Sequence, residues 1–224
     1  LDICVISTEN LRKLRLGETE NTIYAEAGVS LAKLAQFARD NGLSGLEFAS
    51  GIPGSVGGGV LMNAGAYGGE MKDVIESVVV YYIPTQALTE VKAEDCGIEY
   101  RRSGFEKINC AIMGAVFKLT PDDPAAIGAR MKEMNEKRTT SQPLDMPSAG
   151  SAFKRPVGGY AAALIDQCGL KGYTVGGAQI STKHAGFAVN TGSATYDDVV
   201  ALLDHVRREV YAQTQITLEP EIRI

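Results

Sequence analysis

The amino-acid sequence predicts an α+β protein built from two units. In the first half, runs rich in β-branched and aromatic residues alternate with helical patterns. A polar turn, Thr139-Thr140-Ser141-Gln142-Pro143, then precedes a second set of short strands and helices. With 224 residues, 45% of them hydrophobic, the chain can form one large core or two small ones. The units are expected to join near residues 120–145.

The first unit opens with a strand and a capped helix. Residues 22–27 predict a strand that ends at Gly28. Ser30 is a good N-cap for the helix that follows, and Gly42 is expected to close it. The apolar positions fall on one face of that helix: Leu31, Leu34, Ala35 and Ala38.

Three further strands and a helix complete this unit. Residues 74–82 form a β-branched and aromatic run, residues 87–91 can pair with it, and residues 110–119 predict another strand. Asp123-Pro124 starts a helix that is expected to reach about Lys137, with proline at its first position. Its apolar residues Ile127, Met131 and Met134 indicate a helix lying across a surface.

The second unit is expected to be smaller and mixed. Residues 161–168 predict a short apolar helix, and residues 179–180 and 186–190 predict short strands. Thr195-x-x-Asp198 resembles a capping box, and the helix after it has an apolar face formed by Val199, Leu202, Leu203, Val206 and Val210. Residues 216–224 are expected to close the chain as a strand.

Composition and charge exclude several function classes. The net charge of −5 argues against nucleic-acid binding, and no apolar stretch approaches the roughly 20 residues that span a bilayer. The four cysteines are scattered, which indicates reduced thiols in a cytoplasmic protein rather than disulfides or zinc ligands. The two histidines, His184 and His205, are too far apart in sequence to suggest a metal site.

Residues 51–69 contain eight of the 25 glycines. The segment is neither a Walker loop, which needs Gly-Lys-Ser/Thr, nor a Rossmann turn, which needs a strand–turn–helix frame. Closely spaced backbone N–H groups in such a loop can contact one anion, so the segment predicts a phosphate-bearing ligand. The candidate residues for that contact are Gly51, Ile52, Pro53, Gly54, Ser55, Val56, Gly57 and Gly58.

Six segments, in order along the chain, carry a resemblance to a known family; they are GIPGSVGGGVLMNAGAYGGE, YRRSGF, SAGSAFKRP, ALIDQCGLKG, STKHAGFAVN and LEPEIRI. Together they resemble the bacterial UDP-N-acetylenolpyruvoylglucosamine reductase family, and its type II branch is the more similar one. Members of that family reduce the enolpyruvyl ether of a UDP-sugar to UDP-N-acetylmuramate, a cytoplasmic step of peptidoglycan synthesis.

The resemblance implies FAD as cofactor, NADPH as electron donor, and a domain order. It implies an FAD-binding domain of the vanillyl-alcohol-oxidase and para-cresol-methylhydroxylase type over residues 1–122. A UDP-sugar domain follows over residues 123–213, and a closing strand over residues 214–224 carries a catalytic glutamate back to the flavin side.

The start of the chain differs from the family pattern. Residues 1–6 predict a strand already in progress. Family members carry an upstream lobe with a second glycine-rich loop, so this chain alone is expected to hold FAD weakly and to lack reductase activity. Two alternatives stay open: an inactive fragment that binds a UDP-sugar or a nucleotide, and a related FAD-dependent oxidase acting on another substrate.

The resemblance assigns three catalytic residues. Hydride from flavin N5 adds to the terminal carbon of an enol ether conjugated to a carboxylate, so negative charge builds beside that carboxylate. A fixed cation and a proton donor are therefore required. Arg101 of YRRSGF matches the cation, Ser151 of GSAFK the proton donor, and Glu221 of LEPEIRI an acid that shares a proton with the enolate.

The expected substrate, UDP-N-acetylglucosamine-enolpyruvate, requires further groups. Basic and aromatic side chains suit its diphosphate and uracil. Asn63 and Tyr67 are expected to form the floor between flavin and substrate. The remaining candidates for substrate contacts are Lys154, Arg155, Tyr160, Lys183 and His184.

Overall fold

The computed structural model describes residues 5–223, which fall into two units divided between Glu136 and Lys137. In the first unit the elements are β1 (Leu14–Leu16), β2 (Thr22–Glu26), α1 (Leu31–Asp40), β3 (Leu43–Ser44), α2 (Val56–Leu61), β4 (Gly65–Ala66), β5 (Gly69–Glu70), β6 (Ile75–Tyr82), β7 (Ala87–Lys92), β8 (Cys110–Lys118) and β9 (Thr120–Pro121). Helix α3 (Pro124–Ser141) follows, and then β10 (Ser148–Ser151), α4 (Ala161–Gln167), β11 (Thr174–Val175), β12 (Ala178–Ile180), β13 (Phe187–Asn190) and α5 (Tyr196–Thr214).

An antiparallel sheet with strand order β1-β2-β8-β6-β7 organises the first unit. The pairing of β2 with β8 places Ile23 opposite Phe117, and both side chains are fully buried. Because alternate residues of a strand point to opposite faces, Ile23, Ala25 and Phe117 belong to one core-facing side. Helices α1 and α2 add their apolar residues to the same core.

The strands and helices predicted for residues 22–137 are confirmed. Ser30 caps α1 by accepting a hydrogen bond from the backbone N–H of Lys33, at 3.2 Å. Gly42 follows the helix with φ +66°, a conformation that glycine adopts without strain. Helix α3 begins at Pro124 as predicted but extends beyond Lys137 to Ser141.

The division between the units lies inside α3 rather than at its start. The resemblance implies a boundary between residues 122 and 123, whereas contacts within the chain place the division after Glu136, inside the range 120–145 that the residues themselves predict. The reason is packing, because Ile127 and Met131 of α3 are buried in the first core.

A four-stranded sheet of order β10-β13-β12-β11 and the helices α4 and α5 form the second unit. The capping box at the start of α5 is confirmed: Thr195 Oγ1 accepts from the Asp198 N–H, and Asp198 Oδ2 accepts from the Thr195 N–H. Four of the five residues expected on the apolar face of α5 are buried, and Val199 is partly buried against the same core; the four are Leu202, Leu203, Val206 and Val210.

The prediction of a regular strand at each chain end is not confirmed. Residues 216–223 contain a single antiparallel bridge, between Phe153 and Pro220, and otherwise no regular secondary structure. Proline has no N–H, so it cannot donate to a continuous ladder. Residues 1–4 of the expected first strand lie outside the described residues, and residues 5 and 6 have no regular structure. Within the described part of the chain, no helix is long and apolar enough to cross a bilayer.

Candidate active site

The glycine-rich segment is ordered, and its first residues lead into helix α2. Ser55 is the N-cap of α2, and its hydroxyl oxygen accepts from the Gly58 N–H at 3.4 Å. The N–H groups of Val56 and Gly57 donate to the carbonyl oxygens of Val29 and Ala27, at 2.8 and 2.9 Å. These two amides therefore hold the segment against the β2–α1 connection. These two N–H groups, which belong to the predicted anion contacts, already donate within the protein and are not available to a ligand.

The glycines of this segment have two different roles. A Cβ added at Gly57 would lie 2.9 Å from the Ala27 Cβ, and one at Gly59 would lie 3.1 Å from Leu31. Helix α2 can therefore pack closely only without side chains at these positions. Gly54 and Gly58 are exposed, and the nearest neighbours of an added Cβ are 4.0 and 3.7 Å away. This second pair leaves room for close approach by a ligand.

Arg101 lies in a strained turn. The Glu99 and Arg102 backbones exchange hydrogen bonds of 3.0 and 3.3 Å, and Arg101 at the third position of this turn has φ +55°. Positive φ at that position normally selects glycine. The guanidinium donates from Nη1 to the Asn63 carbonyl oxygen at 3.2 Å and from Nη2 to the Gly65 carbonyl oxygen at 3.1 Å. The head group of the predicted cation is thus held by backbone.

Asn63 does not line a ligand surface, contrary to the prediction. Its side chain is 0% exposed. Both Nδ2 bonds go to the protein, one to Glu70 Oε2 at 2.8 Å and one to the Glu99 carbonyl oxygen at 3.0 Å. Its Oδ1 accepts from the Lys72 N–H at 2.9 Å. An amide that is buried and fully bonded in this way serves the protein's own geometry.

Tyr67 is placed where a ligand can reach it. The strands β4 and β5 form a small hairpin, and Tyr67 and Gly68 at its tip have φ +52° and +89°. Two successive positive φ values are the signature of a type I′ turn, in which a tyrosine is strained. The ring is 44% exposed. This position agrees with the predicted role of Tyr67 at a ligand surface.

Ser151 lies at the exposed end of β10. It pairs with Phe187 of β13 after an irregularity in the strand, where Gly150 has φ +84°. The next residue, Ala152, is anchored by a 2.8 Å hydrogen bond from its N–H to the Gly186 carbonyl oxygen. Ser151 is therefore an exposed hydroxyl on a well-anchored backbone.

The C-terminal segment brings Glu221 beside Ser151. The Glu221 N–H donates to the Ala152 carbonyl oxygen at 2.9 Å, and the Lys154 N–H donates to the Glu219 carbonyl oxygen at 2.8 Å. Leu218, fully buried in the second core, fixes the segment at its other end. The backbone of the predicted acid is thus adjacent to that of the predicted proton donor.

Basic and aromatic groups follow Ser151 along the chain. Lys154 forms an ion pair with Glu219. The guanidinium of Arg155 lies over the Tyr160 ring, 3.9 Å from its centroid, and Tyr160 is exposed. A stacked arginine and tyrosine present both a planar apolar surface and a positive charge, the combination that a uridine diphosphate needs.

His184, one of the predicted substrate contacts, is partly buried and bonded within its own turn. Burial lowers the pKa of His184, and the nearby charge of Lys171 lowers it further. Its Nδ1 accepts from the Gly186 N–H at 3.1 Å, so the ring acts as a neutral acceptor within its own turn. The exposed Lys183 beside it remains a candidate, with Nζ donating to the Thr139 carbonyl oxygen at 2.9 Å.

Sequence reasoning missed several polar groups of the first unit. Glu70 and the Glu99 carbonyl hold Asn63, and nothing in the sequence pattern connects these distant positions. Ser50 Oγ and Ser103 Oγ are buried and have no hydrogen-bond partner among the described residues. Ser50 directly precedes the glycine-rich segment, and Ser103 belongs to the same motif as Arg101.

Comparison with known proteins identifies the family. A model of an FAD binding domain matches residues 2–85, and a model of the UDP-N-acetylenolpyruvoylglucosamine reductase C-terminal domain matches residues 142–224. A UDP-N-acetylenolpyruvoylglucosamine reductase of Limosilactobacillus reuteri is 46% identical over 223 residues, covering 100% of this chain and 74% of the relative. The chain belongs to the UDP-N-acetylenolpyruvoylglucosamine reductase family. It is an FAD-dependent oxidoreductase of that family, as the sequence motifs predicted.

Further relatives support the same assignment. The reductase of Syntrophomonas wolfei is 45% identical, covering 96% of this chain and 71% of the relative. The crystal structure of the enzyme from Thermus caldophilus matches with a TM-score of 0.78 and 40% identity, covering 90% of this chain and 72% of that one. The predicted α+β fold with an FAD-binding domain is confirmed by these matches.

The glycine-rich segment fits the cofactor of this reductase family. Among residues 5–223, the Gly54 and Ser55 amides make no hydrogen bond within the protein; Gly54 is exposed, and a second exposed glycine, Gly58, follows three residues after Ser55. The orphaned hydroxyl of Ser50 lies at the start of the same segment. Unpartnered donors beside side-chain-free backbone suit the diphosphate of FAD. These unpartnered groups are fewer than the eight residues predicted to contact the anion.

Proposed function

We propose that the protein reduces UDP-N-acetylglucosamine-enolpyruvate to UDP-N-acetylmuramate, with NADPH as electron donor, in peptidoglycan precursor synthesis. Family membership supports the reaction, since relatives at about 45% identity carry the name of this reductase. FAD, when bound, supplies the hydride for the terminal carbon of the enol ether. The protein must hold the substrate carboxylate, stabilise the charge that develops and deliver a proton.

Arg101 holds the carboxylate in this proposal. A guanidinium stays charged when desolvated and binds a carboxylate through two parallel N–H bonds. The Asn63 and Gly65 carbonyl oxygens orient the head group through Nη1 and Nη2. Carbonyl oxygens fix a guanidinium without neutralising its charge, so the cation is prepared for the developing enolate. Preorganisation of this kind is commonly the largest catalytic effect.

Ser151 delivers the proton and Glu221 supports the developing enolate. The observation that carries this assignment is the 2.9 Å hydrogen bond from the Glu221 N–H to the Ala152 carbonyl oxygen. It brings two motifs from distant parts of the sequence to adjacent positions. A serine hydroxyl is a weak acid, but a carbanion-like carbon is basic enough to take its proton in the right geometry.

The UDP part of the substrate is assigned to the remaining groups of the second unit. The stacked pair Arg155 and Tyr160 suits the uracil and one phosphate. Lys154 and Lys183 supply further positive charge for the diphosphate. Lys154 already pairs with Glu219, so substrate binding would exchange that carboxylate for a phosphate.

Replacing Ser151 by alanine tests the assignment. In the full-length FAD-loaded protein, reduction of bound FAD by NADPH should stay within a factor of about 2, while reoxidation by the enolpyruvyl substrate should fall by at least about 10³. Rapid mixing with flavin absorbance separates the two half-reactions. Ser148→Ala is the matched control, because Ser148 is an exposed serine of the same strand. Equal losses in both half-reactions, or an equal effect of the control, would contradict the role of Ser151.

A further inference from the structure

The turn that presents Arg101 needs an external restraint. A non-glycine residue at φ +55° is strained, and such strain persists only where the surroundings impose it. The hydrogen bonds between Glu99 and Arg102 close the turn but do not fix its position in the unit. The residue that supplies the restraint must contact the turn from another part of the chain.

Asn63 contacts this turn at two points. Its side-chain Nδ2 donates to the Glu99 carbonyl oxygen, the first residue of the turn. Its own carbonyl oxygen accepts from Nη1 of Arg101. One residue therefore fixes both the backbone that carries the arginine and the guanidinium at the end of its side chain. Asn63 itself has φ +43°, which asparagine tolerates better than most residues.

Asn63 is in turn held rigidly by its neighbours. Its Nδ2 also donates to Glu70 Oε2, and its Oδ1 accepts from the Lys72 N–H. Glu70 is fixed further by an ion pair with Lys72, at 2.6 Å. Gly65, the second acceptor for Arg101, pairs with Glu70, and a Cβ at Gly65 would lie 2.7 Å from the Gly69 carbonyl oxygen. The asparagine, the hairpin and the turn thus form one bonded unit.

We propose that Asn63 is a positioning residue that aims Arg101 at the substrate carboxylate. This inference rests on the proposed function, in which Arg101 is the carboxylate-binding cation. The side-chain amide of Asn63 sets where the turn sits, and its carbonyl sets where the guanidinium points. A displacement of about 1 Å of a catalytic group can cost about 10²-fold in rate, so loss of this amide should have an effect of that size.

The test is Asn63→Gly in the full-length FAD-loaded protein. Glycine accepts φ +43° without strain, so the variant removes the amide and keeps the backbone. We expect kcat/KM for the enolpyruvyl substrate to fall about 10²-fold, while FAD reduction by NADPH is unchanged. Asn21→Gly is the matched control, because Asn21 also has positive φ in the first unit and has no hydrogen bond to the Arg101 turn. It should leave both half-reactions unchanged.

A double-mutant cycle with Arg101→Lys separates positioning from general loosening. If Asn63 acts through the guanidinium, Asn63→Gly should reduce kcat/KM by less than about threefold in the Arg101→Lys background. A merely structural role would give a full additional loss and would also weaken FAD retention, measured by flavin fluorescence. Additive losses, or parallel losses in the NADPH half-reaction, would overturn the inference.

Failure of the proposed function gives a different result. If Arg101→Lys leaves kcat/KM unchanged, the carboxylate-binding role of Arg101 is wrong and Asn63 has nothing to position. If Arg101→Lys is damaging and Asn63→Gly is harmless, only the inference is wrong. Should Asn63→Gly fail to fold by circular dichroism, Asn63→Asp keeps the shape and replaces the donor by an acceptor. It should reproduce the same selective loss, and unchanged activity of Asn63→Asp would overturn the inference.

Discussion

Arg130→Ala should destabilise the first unit strongly. Glu47, which precedes the glycine-rich segment, is only 7% exposed. Its Oε1 accepts from Nε and Nη2 of Arg130 at 3.0 and 2.7 Å, and the Ser44 hydroxyl and the Gly45 N–H donate to the same carboxylate. The substitution leaves a nearly buried carboxylate without its cation.

The size of the effect follows from the exposure of the two partners. Removing one partner of a fully buried ion pair costs about 3–5 kcal/mol, whereas exposed pairs contribute about 0–1 kcal/mol. Here the carboxylate is buried but the Arg130 side chain is 40% exposed, so water can replace part of the lost contact. We therefore expect a loss of about 2–3 kcal/mol, or about 4–12 °C in the thermal midpoint.

The pH dependence gives an independent readout of the same pair. Burial alone would raise the pKa of Glu47, but hydrogen bonds from Arg130, the backbone and Ser44 hold that pKa below its usual 4.5. A lowered folded pKa contributes stability above the unfolded pKa, and this is lost as the pH falls through the folded pKa. In the Arg130→Ala variant, the decrease in stability on going to acid pH should therefore be much smaller.

Thermal and urea unfolding, followed by circular dichroism, provide the assay. Lys132→Ala is the matched control, because Lys132 lies on the same helix and pairs with Glu136 at 3.8 Å in an exposed i,i+4 arrangement. It should leave the unfolding midpoint nearly unchanged. If Arg130→Ala costs no more than Lys132→Ala, the argument from a buried carboxylate is refuted.

Two further predictions concern the glycine-rich segment and His184. Gly57→Ala should lower the free energy of unfolding by about 1–3 kcal/mol, because the new Cβ would lie 2.9 Å from Ala27; Gly58→Ala has room and should weaken FAD binding only. The reverse order in urea unfolding would contradict the packing role of Gly57. The lowered pKa of His184 predicts stability that is present above pH 6.5 and lost as the pH falls through its folded pKa. His184→Asn keeps an acceptor for the Gly186 N–H and should flatten this pH dependence of stability in unfolding curves measured between about pH 5 and 8. A wild-type protein that is more stable at the acid end of that range would refute the prediction.

The elements with strong local signals could be predicted from the sequence. Ser30, Pro124 and the Thr195–Asp198 box define helix starts through contacts within one turn, so no tertiary information is needed. The family motifs predicted roles for Ser151 and Glu221, and these roles stay predictions, although the structure places the two backbones side by side. Helix α2 was expected as a loop because glycine has poor helix propensity, and close packing on Ala27 overrides that preference.

The remaining features depend on contacts between distant residues. Asn63 was expected to form part of the floor between flavin and substrate, but its environment is set by Glu70 and Glu99. His184 was expected to contact the substrate, and only its burial and its bond to the Gly186 N–H show it as an acceptor within its own turn. The prediction of a C-terminal strand was wrong for a similar reason, since the pairing of that segment with residues 152–154 is limited to a bridge at Pro220.

The close packing at Gly57 and Gly59 changes what the motif can report about relatives. Selection for folding alone would preserve these two glycines, even in a descendant that had abandoned its cofactor. Gly58 is free of that pressure, because the nearest neighbour of an added Cβ is 3.7 Å away. Gly54 is not, because its φ of +155° is a conformation that glycine alone adopts without strain. Substitution of Gly58 would therefore mark lineages that have relaxed FAD binding, whereas retention of Gly54, Gly57 and Gly59 carries little information about chemistry.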